Sequence, residues 1–160
     1  MKAAATTEIK QALKLLSQPK LVELCLRLAR FKKENKELLS FLLFEADDLQ
    51  AYIEGVKEEV RLLFPEINSS HLYYAKKSLA KILRIINKHV RYTGSKVAEV
   101  ELLLFFCQQL QQSGIAYRKS AGLKKMYESR LQKIKAAIGL LHPDLQYDYL
   151  KQLDALQSAG

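Results

Sequence analysis

Apolar residues recur along this chain with a helical period almost from end to end. Ile9, Leu13 and Leu16 mark a short first helix, and Leu21, Leu24, Leu28 and Phe31 mark a second with Pro19 near its start. Pro is tolerated in a first helical turn, where its missing N–H would have had no intrahelical partner. Asn35 is placed to cap a third helix carrying Leu38, Leu39, Leu42 and Leu43. Leu49, Tyr52, Ile53, Val56, Val60, Leu63 and Phe64 then follow the i, i+3, i+4, i+7 pattern without a gap. Asp47 with Gln50 resembles a capping box, which predicts a fresh start after a break at Ala46–Asp48, and Pro65 ends the segment.

The second half repeats the period in longer segments. Asn68, Ser69 and Ser70 offer caps for a helix from His71 to Tyr92, and Gly94 is a natural left-handed terminator. Ser95 can cap the next, which runs through Val97, Val100, Leu103, Leu104, Cys107 and Leu110 and is closed by Gly114. From Leu102 to Cys107 this helix is apolar on every side, the mark of a buried helix. Leu123, Tyr127, Leu131, Ile134, Ile138 and Leu141 mark a further helix. His142-Pro143-Asp144 breaks and restarts the chain, Leu145, Tyr149, Leu153 and Leu156 carry the last helix, and Ser158-Ala159-Gly160 reads as a frayed tail.

No strand pattern survives this reading. The expectation is a single all-helical, all-α domain over residues 1–160. About eight helices form a compact orthogonal bundle, or a short α-α superhelical array, around a buried helix near residues 97–112. No period of 34 to 45 residues repeats. With 49% hydrophobic and 27% charged residues over 160 positions, the chain has the composition of a folded domain. Six Gly and three Pro argue against a turn-rich β-sandwich. No apolar run reaches the roughly 18 residues of a membrane span, and Met1–Ala5 opens no signal-peptide core. The two cysteines, Cys25 and Cys107, sit in apolar stretches and read as free buried thiols of a cytoplasmic, reduced protein.

Charge changes the picture more than composition does. The net charge is +9, distributed as +6 over residues 1–33, −6 over 34–66, +11 over 67–135 and −2 over 136–160. On the fifth helix Lys77, Lys81, Arg84, Lys88 and Arg91 are spaced 4, 3, 4 and 3, an arc of about 80° on a helical wheel. Leu72, Ala75, Leu79, Ile82, Leu83, Ile86 and Val90 fill the opposite arc, and no acid lies between His71 and Val97. Such a row can track phosphates, with Tyr74 on the same side for stacking. The plainer alternative is a solvated face paired with the acidic 34–66 block. The cations Arg118, Lys119, Lys124, Lys125, Arg130, Lys133 and Lys135 are spread around their helix instead.

The search for chemistry returns little. His71, His89 and His142 fall in no metal-binding motif, and Glu45, Asp47, Asp48, Glu58 and Glu59 are better read as caps and helix-surface charges. Tyr92-Thr93-Gly94-Ser95-Lys96 resembles a phosphate loop but has one glycine and no preceding strand, so it reads as a turn. Tyr73, Tyr74, Tyr147 and Tyr149 are candidate interface anchors or helix-packing residues. No catalytic residue, metal or cofactor is expected.

Phe31-Lys32-Lys33-Glu34-Asn35-Lys36-Glu37-Leu38-Leu39 through Phe44-Glu45-Ala46-Asp47-Asp48 resembles a bacterial all-helical family of unknown function. So does Ala75-Lys76-Lys77-Ser78-Leu79 through Arg91-Tyr92-Thr93-Gly94-Ser95-Lys96. The resemblance spans the first two thirds of the chain, implies a small soluble bacterial protein and carries no site. The leading functional expectation is a non-enzymatic helical interaction module that binds another protein. The alternative is a nucleic-acid-binding module using the basic face near residues 71–92. The partner's identity and the oligomeric state are open.

Overall fold

A computed structural model describes residues 1–159. The chain is all-α. Among the described residues eight α-helices run in order: α1 (Thr6–Lys14), α2 (Gln18–Phe31), α3 (Lys33–Phe44), α4 (Leu49–Leu63), α5 (Leu72–Thr93), α6 (Lys96–Gln112), α7 (Ala121–Ile138) and α8 (Pro143–Ser158). A 3-10 turn, Tyr117–Lys119, precedes α7, and no strand occurs among the described residues. None of these helices is long and apolar enough to cross a membrane. The chain divides into two compact units at Phe44/Glu45.

The first unit is built on the α2–α3 hairpin. Lys32, in extended conformation, separates the two helices. Asn35 does not cap α3, which already begins at Lys33; its Nδ2 donates instead to the Leu28 carbonyl at 2.8 Å, satisfying an orphan acceptor near the end of α2. Cys25, read from sequence as buried, is exposed, because α2 buries no residue fully and its apolar side chains outnumber what α3 alone can cover. α1 likewise buries nothing, and Ile9, Leu13 and Leu16 stay exposed.

The second unit is a five-helix arrangement around α6. Ala98, Val100, Leu102, Leu103, Leu104, Phe106, Cys107 and Leu110 of that helix are all at most 2% exposed. α4, α5, α7 and α8 each pack against it, supplying Ile53, Val60, Leu79, Ile86, Leu123, Ile134, Ile138 and Leu153 to the same core. This is the buried helix expected near residues 97–112. Its ends are set as the sequence predicts. Gly94 takes the left-handed conformation at φ 59°, returning its N–H to the Val90 carbonyl at 3.0 Å, and Ser95 Oγ accepts from the Ala98 N–H at 3.3 Å. Gln111 Nε2 ties the far end together, donating to Tyr127 Oη at 2.7 Å and to the Leu156 carbonyl at 2.8 Å.

Several boundary details differ from the sequence reading. α4 is capped by Asp48, whose Oδ1 accepts from the Ala51 N–H at 3.0 Å, not by an Asp47–Gln50 box; Gln50 points across to Glu101. Asn68 and Ser70 close their own turn, leaving His71 as an N-cap without a side-chain bond. Ser120 caps α7 by accepting from the Leu123 N–H at 3.3 Å. Pro143 opens α8 with His142 Nδ1 accepting from the Asp144 N–H, and α8 stays helical to Ser158; Gly160 lies outside the described residues.

Cys107, fully buried, has its thiol pushed up to about 12 by desolvation, so it acts as a small apolar filler. Leu103→Ala removes a fully buried side chain from the central helix and should cost about 2–5 kcal/mol, measured by urea unfolding. An unchanged midpoint would show that α6 is not the centre of the core.

Candidate functional site

α5 owes its length to two consistent patterns on one segment. Ala75, Leu79, Ile82, Leu83 and Ile86 are buried along one face. The opposite face carries the cationic row. Lys77, Lys81, Arg84 and Arg91 are exposed, Lys88 is half-buried, and Tyr74 is 55% exposed at the N-terminal end. Lys77 Nζ stands 4.7 Å from the Tyr73 ring centroid, and Lys88 Nζ 6.0 Å from that of Tyr92. All six residues singled out by sequence therefore lie along one helix.

Among the described residues of their unit, none of Lys77, Lys81, Arg84 and Arg91 forms an ion pair. The acids of α4 are engaged elsewhere: Glu54 with Lys57 at 2.8 Å, Glu58 with Arg61, and Glu59 with His89 Nε2 at 3.4 Å. His89 also meets Tyr52 Oη at 2.6 Å through Nδ1, so it joins α5 to α4 and is not an idle surface residue. Within the unit these four cations take no carboxylate of α4, because α4 spends its acids on its own helix and on His89.

The acids of α6 are consumed in the same way. Glu99, 6% exposed, takes Lys96 at 2.6 Å and Lys133 at 3.3 Å. Burial alone would raise its pKa, but the hydrogen bonds and charges of those lysines outweigh it and hold the carboxyl below its ordinary range. The three groups, with Arg91 and Ser95, line a surface cleft of about 490 Å³. In this phosphate-loop-like turn Ser95 caps its own helix and both lysines serve Glu99. Arg91 alone among the cleft's cations has no carboxylate partner in the unit, so the turn reading stands.

A second network, not anticipated from sequence, lies on the other side of α6. Glu101 accepts from Lys57 Nζ at 2.7 Å and from Tyr149 Oη at 2.8 Å, joining α4, α6 and α8 beside a cleft of about 330 Å³. Burial would raise the Glu101 pKa, and the hydrogen bonds from Lys57 and Tyr149 reverse that, leaving it below its ordinary range. The available signal was two acids, Glu99 and Glu101, interrupting an otherwise apolar helix: buried carboxylates require partners. With its donors fixed on one carboxylate, the network holds helices together and offers no free base or nucleophile. No group of three or more potential metal-ligating side chains occurs among the described residues.

Comparison with protein families, curated proteins and solved structures finds no match.

Because folding lowers the Glu101 pKa, its contribution is present above the ordinary value and lost as pH falls through the lowered one. The melting-temperature gap between the wild type and Glu101→Gln should therefore be widest near neutral pH and close as pH drops below about 4.5. A gap independent of pH would show that the carboxylate's charge is not what joins the helices.

Proposed function

We propose that this chain is a non-enzymatic helical binding module and that the α5 face receives the phosphate backbone of a nucleic acid. One observation carries the reading: Lys77, Lys81, Arg84 and Arg91 form a row along an exposed helix face with no carboxylate partner in their unit. With the acids of α4 and α6 engaged by other groups, these four cations keep their charge available within the unit. Phosphate contacts of this kind position a nucleic acid without reading its sequence. Binding should fall steeply with salt. Three to five neutralised phosphates give a log–log slope of about −2.7 to −4.5 on duplex DNA and about −2.1 to −3.5 on single strands. Titration of short oligonucleotides at two salt concentrations checks this, with Lys81→Glu/Arg84→Glu as control. Absence of binding at low salt, or binding that the double reversal leaves intact, would remove the reading.

A protein-binding reading has its own support in the first unit. Thirteen of the chain's exposed large hydrophobic residues lie in residues 1–44, among them Leu24, Leu28, Phe31, Leu42 and Phe44. An apolar groove of about 290 Å³ runs between α2 and α3, lined by Cys25, Leu28, Leu38, Leu39 and Leu42. Residues 1–33 carry +6, so the fitting occupant is an amphipathic helix with acidic flanks, seated by its apolar side. Selection from a display library of amphipathic helices should enrich acidic members, and Leu28→Glu should abolish their binding. Enrichment of basic helices, or indifference to Leu28→Glu, would count against it.

A further inference from the structure

We infer that the nucleic acid taken by α5 is single-stranded, read through an aromatic platform at the start of the helix. The inference rests on the nucleic-acid reading above and narrows it. Tyr73 and Tyr74 are 65% and 55% exposed, so neither is needed by the core. Their ring centroids lie 5.4 Å apart in an edge-to-face contact, and the His71 ring meets Tyr74 in the same manner at 6.0 Å. Three aromatic rings thus cluster in solvent at one end of the cationic row. Lys77 joins the two features, its Nζ resting over the Tyr73 ring.

The chemistry of the two parts selects the ligand. A cationic row by itself suits any polyanion. Exposed aromatic faces beside it suit one whose uncharged parts are themselves flat rings. Duplex DNA keeps its bases stacked inside and offers this platform only phosphate and sugar. A single strand can turn its bases onto the tyrosines while its phosphates follow the row. Between Tyr74 and Arg91 the helix rises roughly 25 Å, a track long enough for several nucleotides. Although the three rings touch edge to face, more than half of the Tyr73 and Tyr74 surface stays open to solvent. Base–aromatic stacking tolerates every base, so the platform adds affinity and strand preference without sequence specificity.

The test uses the full chain and fluorescently labelled probes at low salt: a single-stranded oligonucleotide, the duplex of the same length, and an abasic strand carrying phosphates without bases. The single strand should bind more tightly than either of the others. Tyr73→Ala/Tyr74→Ala should weaken single-strand binding about tenfold, within the range expected for one or two lost stacks, and leave duplex binding and the salt slope unchanged. Tyr73→Phe/Tyr74→Phe keeps both rings and should retain the preference, which separates stacking from any role of the hydroxyls. Equal binding of single strand, duplex and abasic strand, or a single strand indifferent to the double Ala change, would overturn the inference while leaving the phosphate-binding face in place. Loss of binding to all three probes in the wild type would instead remove the nucleic-acid reading itself.

Discussion

A helix with no polar side along its middle has to be surrounded, and α6 imposes that condition on the second unit. Burying Leu102, Leu103, Leu104, Phe106 and Cys107 together requires apolar neighbours on every flank, and α4, α5, α7 and α8 supply them. Each of those helices then has one face committed to α6 and another left to solvent. The fold of the unit follows from this single demand, since each surrounding helix needs only one apolar stripe. At about 25 cal/mol per Å² of apolar surface removed from water, α6 contributes more than any other single helix, because it buries the largest set of apolar side chains.

The same demand decides where the acids go. α6 carries Glu99 and Glu101, and a carboxylate near a core survives only with donors in place. Glu99 draws Lys96 and Lys133; Glu101 draws Lys57 and Tyr149. These pairs join α6 to α7 on one side and to α4 and α8 on the other. α5 contributes nothing to either network, so Lys77, Lys81, Arg84 and Arg91 take no part in the pairing around α6. The only other acid of residues 67–135, Glu128, lies on α7 with Lys124.

Periodicity made the helices of both units legible, and the all-round apolar stretch Leu102–Cys107 located the centre. Capping was legible only where side chain and backbone had no better offers. Ser95 and Gly94 acted as expected, while Asn35 was diverted to the Leu28 carbonyl and Gln50 to Glu101, contacts that arise only once helices are placed. The exposure of Cys25 was invisible for a related reason: its apolar neighbours promise burial, yet the α2–α3 hairpin has too little partner surface to deliver it. The cationic row could be counted from sequence. Whether it was spoken for could not, because that depended on where the carboxylates of α4 and α6 point.

A row of like charges also works against the helix that bears it. Lys77–Lys81 and Arg84–Lys88 are i, i+4 pairs, and Lys81–Arg84 and Lys88–Arg91 are i, i+3 pairs, all of like charge. Each such pair costs a few tenths of a kcal/mol in an isolated helix. α5 tolerates that cost because its other face is locked into the core by Leu79, Ile82 and Ile86, so repulsion on the outside cannot unwind it. A polyanion laid along the row replaces those repulsions with attractions and stabilises the folded state in proportion to its occupancy. The core thus does two jobs through one helix: burial on the inner face fixes the backbone, and that fixed backbone holds five cations in an array they would not keep on their own.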